Sequence, residues 1–166
     1  LICDSSNYLL YGTVASNDLQ VSNNHGLDDI WIVKIDAIGN IVWQKCYGGS
    51  RYEIVSAIKK DSDGGYILVG TSDSPDGDVS GIHTGGCFPY TCADIWMIKL
   101  DSLGGLVWQK CLGGTSGEFG DDIILTDDSG LFVVGQAFST DGDVSGGGNH
   151  GNNDGWIIKL SSGNVS

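Results

Sequence analysis

Apolar residues recur along this chain in short alternating bursts, never at helical spacing. One burst, Asp29-Ile30-Trp31-Ile32-Val33-Lys34-Ile35-Asp36, returns as Asp94-Ile95-Trp96-Met97-Ile98-Lys99-Leu100-Asp101 and again as Asp154-Gly155-Trp156-Ile157-Ile158-Lys159-Leu160. The first two copies lead through a Gly turn into Val-Trp-Gln-Lys-Cys, at residues 42–46 and 107–111, and then into Gly48-Gly49-Ser50 and Gly113-Gly114-Thr115. A further burst ends in Gly: Tyr8-Leu9-Leu10-Tyr11-Gly12, Tyr66-Ile67-Leu68-Val69-Gly70 and Leu131-Phe132-Val133-Val134-Gly135. Before the last two stand Ile54 to Lys60 and Asp122 to Thr126, each running into an acidic Gly-containing turn. Short runs rich in Val, Ile, Trp and Tyr, bounded by Gly and Asp, read as strands joined by hairpins.

Laid on itself, the chain therefore predicts a repeat of four strands, A to D. The tryptophans of strand C lie 65 and then 60 residues apart, the longer step reflecting an insert between Cys87 and Cys92. Four strands in about sixty residues with no helical crossover call for antiparallel meanders, and meanders of this size pack radially as propeller blades. The expected fold class is all-β, a β-propeller type with just under three repeats. The expected blades are 1–48 (the end of A, then B, C and D), 49–112 (A to D) and 113–166 (A to C). Closed propellers normally have four or more blades. Unpaired sheet edges are usually avoided, so the expected partners are further blades of the same polypeptide or further copies of it.

Composition agrees with that architecture: 27 Gly, only 2 Pro and 1 Met describe short strands and many tight turns. The net charge of -13 repels nucleic acid and anionic membranes and favours cations. No apolar run is long enough to span a membrane. Cys87 and Cys92 bracket a short loop insert, which reads either as a local disulfide in an oxidising compartment or as two free thiols. Cys46 and Cys111 share one repeat position and read as small buried strand residues.

Candidate chemistry concentrates between strands B and C. There Asp76-Gly77-Asp78-Val79-Ser80-Gly81 and Asp141-Gly142-Asp143-Val144-Ser145-Gly146 match the first half of an EF-hand-type calcium loop, while the first repeat has Asp18, Gln20 and Asn23 instead. Calcium would be held by Asp76, Asp78 and Ser80 with Asp94, and by Asp141, Asp143 and Ser145 with Asp154. The alternative is that Asp and Ser cap turns while Val79 and Val144 plug the core. His25, His83 and His150 all fall in this loop, one per repeat, where a hydrogen bond to backbone or to the Asp opening strand C competes with a zinc role. Glu53 and Glu118, the only glutamates, occupy matching positions on different repeats and read as solvated or turn-capping carboxylates rather than a glycosidase pair. Strand tryptophans read as packing; Tyr47, Tyr52, Phe88 and Tyr90 are expected to be exposed and are the candidate ligand-binding aromatics. Asn164-Val165-Ser166 matches a glycosylation acceptor. No nucleophile elbow, zinc-protease helix or phosphate loop occurs, so no catalytic residue is assigned and the chain reads as non-enzymatic.

The string D-x-W-x-x-K-x-D-x-x-G-x-x-x-W-Q-K-x-x-G-G, then D-x-D-G-G-Y-x-x-x-G and D-G-D-V-S-G, resembles the secreted propeller repeats of large prokaryotic surface proteins. That resemblance implies export to the cell surface, a propeller fold, and adhesive or scaffold duty without assigned catalysis. The C–D hairpin is also similar to the quinoprotein-type blade, which would imply a quinone and calcium in a central channel. Here the blades are too few, and Cys87 and Cys92 are not adjacent as in the vicinal disulfide of some such enzymes. The expectation is a non-catalytic extracellular structural or adhesive module, calcium-stabilised; a carbohydrate-binding propeller with glycan partners is the alternative, and a quinoprotein-type oxidoreductase fragment follows.

Overall fold

A computed structural model of the chain describes residues 2–4, 6–18, 21–83, 92–146, 149–150 and 152–161. Among the described residues eleven strands form three antiparallel sheets. The first contains β1 (Ile2–Asp4), β2 (Asn7–Val14), β3 (Asp29–Asp36) and β4 (Ile41–Tyr47), in that order. The second contains β5 (Glu53–Lys60), β6 (Tyr66–Ser72), β7 (Asp94–Leu100) and β8 (Leu106–Leu112). The third contains β9 (Glu118–Leu125), β10 (Leu131–Ala137) and β11 (Asp154–Leu160). Each sheet is a meander in which sequence neighbours pair, as the repeat requires. Among the described residues the sole helical element is a 3-10 turn at Gly142–Val144.

Because side chains alternate across a strand, each sheet has one face toward the sheet before it and one toward the sheet after it. Tyr66, Leu68, Trp96, Ile98 and Leu100 face back and pack with Leu9, Ile30, Ile32 and Tyr47 of the first sheet. Ile67, Val69, Ile95 and Met97 face forward and pack with Ile123, Leu131, Val133 and Leu160 of the third. The middle sheet is thus covered on both sides, and every residue of β6 and β7 is buried. The tryptophans contribute as expected: Trp96 is fully buried, and Trp43, Trp108 and Trp156 pack at the cluster edges. Trp31 and Trp96 each donate their indole N–H to the Gln of the adjoining strand, Gln44 and Gln109, at 2.9 Å.

Two repeated details explain invariances in the pattern. Ser56 and Asp121 are extra residues in β5 and β9, so that Val55 pairs with Gly70 and Gly120 with Gly135 across a bulge. The bulge drives the Ile54 and Phe119 carbonyls against these glycines, where an added Cβ would lie 1.9 Å and 2.2 Å from the oxygen. The strand-C lysine returns to the acidic A–B turn of its own sheet. Lys99, almost wholly buried, reaches Asp61 and sits 2.8 Å from Asp63; Lys159 sits 3.1 Å from Asp128. The turn carboxyls respond: Asp63 is held below the usual range, chiefly by Lys99, and Asp128 is lowered to about 2 by Thr126 and Lys159. Lys99→Ala leaves Asp61 and Asp63 without their cation beside a buried void, and is expected to cost about 2–3 kcal/mol in urea denaturation. Lys159→Ala, at an exposed pair, is expected to cost about 1 kcal/mol or less.

Candidate functional site

The same constellation of residues is built twice, at the junctions between successive sheets. Strand D ends in a Gly-Gly turn that leads into the next sheet, and the B–C loop of that next sheet folds back over it. At the first junction the backbone N–H of Gly48 donates to Asp78 at 3.3 Å, that of Ser50 to Asp76 at 2.7 Å and that of Arg51 to Ser74 at 2.9 Å. At the second junction Gly113 donates to Asp143 at 3.2 Å, Thr115 to Asp141 at 2.8 Å and Ser116 to Ser139 at 2.8 Å. In return the Asp78 and Asp143 N–H groups donate to the carbonyls of Gly48 and Gly113, at 2.9 and 2.8 Å. Gly77 and Gly142 take positive φ here, and a Cβ on either would lie 2.4 or 2.3 Å from those carbonyls. The D-G-D-V-S-G motif is therefore a clamp on the neighbouring turn. Val79 and Val144 plug the core beneath it, as the turn-capping reading expects.

The remaining candidate cation ligands are engaged as well. Ser80 accepts from the Gln109 amide, and the Ser145 hydroxyl donates to the Gly142 carbonyl at 2.6 Å. Asp94 Oδ2 accepts the backbone N–H of His83 at 2.9 Å and faces its Nδ1 at 2.7 Å; Asp29 and His25 repeat this at 2.9 and 2.6 Å. Asp154 accepts the His150 N–H, with the ring nitrogen at 3.6 Å. Each histidine thus bonds to the Asp that opens strand C. Among the described residues no three His, Cys, Asp or Glu side chains converge as metal ligands.

Two expectations are corrected. Tyr47 is not exposed: at 3% accessibility it fills the forward-facing position held by Leu112 in the next repeat, with its hydroxyl donating to the Gly104 carbonyl at 2.6 Å. Burial pushes its phenol well above the ordinary range. Glu53 and Glu118 are not solvated: both are fully buried, and they do cap the Gly-Gly turn, accepting the N–H of Gly49 and of Gly114 at 2.8 Å. Position alone hid this, because nothing in a Gly-Gly-x-x-x-Glu string distinguishes a turn on the surface from one covered by another repeat. Tyr52 is half exposed on the turn. Phe88, Tyr90, Cys87 and the Asn164 acceptor sequence lie outside the described residues; Cys92 lies within them, its Sγ 3.2 Å from the Thr115 carbonyl.

Electrostatically the junctions are crowded with acid. Burial raises the Glu53 carboxyl, against hydrogen bonds from Ser72, Ser74 and Gly49 that pull it down, and burial also raises Asp94. The His83 ring is pulled down by burial, but the hydrogen bond and charge of Asp94, with Asp143 and Glu118, outweigh this and leave it raised. Cys46 and Cys111, as expected, are buried strand residues and are free thiols; burial with nearby carboxylates pushes them up to about 11 and about 12. Removing one clamp by Asp141→Ala takes away the acceptor of the Thr115 N–H and hydroxyl hydrogen bonds, and is expected to increase amide exchange at residues 113–118. Comparison of the chain with known protein families and with curated proteins finds no match.

Proposed function

We propose that the chain is a run of propeller-type blades from an extracellular structural or adhesive protein, and that it works by joining further repeats of its own kind. Blade boundaries at residues 48/49 and 112/113 follow the Gly-Gly turns between sheets. The observation that carries the reading is what the two outermost faces expose. Ile32 and Met97 are completely buried against the next sheet, whereas Ile157, at the same repeat position in the third sheet, is 70% exposed. Leu68 and Val133 are completely buried against the preceding sheet, whereas Leu10 of the first sheet is 41% exposed. Each end thus presents the surface that the other end's repeat position covers inside the stack, so the fitting occupant is another copy of the unit.

The buried thiols, held protonated and unreactive, suit an oxidising exterior, and the acidic surface suits a soluble, non-nucleic-acid-binding module. The proposal rests on the loop carboxylates as turn caps, since they accept backbone N–H groups of the neighbouring turn. The test is fractionation of cells that make the intact polypeptide, with surface labelling by a membrane-impermeant reagent. Labelled protein outside the cell supports the reading; recovery solely from the cytosol overturns it. A glycan array decides the lectin alternative, whose candidate aromatic among the described residues is Tyr52: sugar binding lost in Tyr52→Ala favours it over the purely structural role.

A further inference from the structure

Each junction buries two carboxyl groups beside one glycine. Asp29 and Glu53, and again Asp94 and Glu118, are fully inaccessible. A Cβ placed on Gly48 would lie 2.4 Å from Glu53 Oε2 and 2.7 Å from Asp29 Oδ1; on Gly113 it would lie 2.7 Å from Glu118 Oε2 and 2.5 Å from Asp94 Oδ1. One oxygen of each acid therefore faces the same bare flank of the turn. The glutamates are supplied with donors: Gly49 N–H and the Ser72 hydroxyl for Glu53, Gly114 and Ser139 N–H for Glu118. The aspartates are supplied on Oδ2 alone, by the N–H and ring of His25 or His83. Asp29 Oδ1 and Asp94 Oδ1 have no hydrogen-bond partner.

A fully buried carboxylate oxygen with nothing to accept from, facing a second carboxylate, is strongly unfavourable, and the arrangement occurs twice. A proton on the aspartate Oδ1 resolves it: Oδ1 becomes a donor to the glutamate, while Oδ2 continues to accept from the histidine. We propose that each Asp–Glu pair holds one proton at neutral pH, so that successive sheets are joined through a carboxylic acid–carboxylate hydrogen bond and the stack tightens in mildly acidic surroundings. The groups facing the first pair are His25, Cys46, Asp76 and Asp78; those facing the second are His83, Cys111, Asp141 and Asp143, with Glu53 reaching Cys111 from the far side. Acids predominate among them, which favours keeping the proton.

The sign follows. Glu53, Asp94 and His83 bind protons more tightly folded than unfolded, so their contribution is complete below their ordinary ranges and is lost as pH rises through the raised values. The exposed turn carboxyls Asp36, Asp101 and Asp128 are lowered and act oppositely, losing their contribution as pH falls through those lowered values. Stability is greatest in the mildly acidic window between.

The test compares the full chain with Asp29→Asn/Asp94→Asn, in which an amide N–H permanently replaces the proton. The wild type is expected to lose several °C of melting temperature, about 3 °C or more, between pH 6 and pH 9. The double variant is expected to lose much less and to match or exceed the wild type at pH 9, chelator changing neither. Infrared spectra at pH 7 are expected to show a buried protonated-carboxyl C=O band in the wild type that the variant lacks; this measurement decides even if the variant fails to fold. A wild type with no such band, or a variant with an unchanged pH slope, overturns the proposal. So does a chelator-induced fall in wild-type melting temperature that the variant abolishes, since a bound cation would then be the neutralising charge.

Discussion

Trp96→Ala is expected to cost about 3–5 kcal/mol, enough to unfold a large fraction of the protein at physiological temperature. Trp96 is the largest fully buried side chain among the described residues, and it belongs to the cluster between the first and second sheets. Its removal leaves a void that Tyr66, Ile98 and Tyr47 are too tightly held to fill, and it leaves the Gln109 side-chain oxygen without its indole donor. Trp156→Ala, at the same repeat position but half-buried, is expected to cost no more than about half as much. Urea unfolding of the two variants measures the difference, and equal losses would contradict the packing described.

The second large effect comes from backbone. Gly70→Ala puts a methyl group where the Ile54 carbonyl already lies, 1.9 Å from the new carbon, so β5 must leave its bulge or the pairing with β6 must open. The expected cost is about 3 kcal/mol, or about 6–12 °C of melting temperature. Gly12 holds the same repeat position in the first sheet, where nothing lies within 4 Å of an added Cβ. Gly12→Ala is therefore expected to change stability by no more than about 0.5 kcal/mol. Thermal melts of the pair separate the bulge from the general effect of alanine in a strand; a Gly70→Ala protein that melts with the wild type would mean that the bulge is not required.

Much of this architecture was legible from the chain, because a period of two and a repeat of about sixty residues survive in the sequence wherever burial enforces them. The strands, their order and, among the described residues, the absence of helical crossovers follow from the alternation around Trp31, Trp96 and Trp156. Turn chemistry was legible too, since Asp61 to Gly65 and Asp127 to Gly130 carry the residues that tight hairpins need. What could not be read was which polar groups meet across a junction. Asp76 and Ser50, or Asp141 and Thr115, are separated by 26 residues and belong to different sheet-to-sheet layers of the repeat, so their pairing depends on how one sheet seats on the next. The D-G-D spacing reads as half of a cation loop, and which backbone groups its oxygens also hold, those of the neighbouring Gly-Gly turn, is a tertiary matter. Glu53 and Glu118 cap the turn as one of their two readings has it, but their burial, like that of Tyr47, follows from strand D ending under the following sheet rather than in a free loop.

If the repeat faces are built to receive more of themselves, the isolated chain should show it directly. Sedimentation velocity over a wide concentration range measures this, comparing the wild type with Phe132→Lys/Ile157→Lys, which charges the exposed forward face of the third sheet without touching the buried clusters. Head-to-tail stacking of the third sheet of one copy on the first sheet of the next predicts concentration-dependent growth in the wild type, and a folded monomer at every concentration in the variant. A wild type that stays monomeric throughout, indistinguishable from the variant, would contradict the claim that these faces continue the stack.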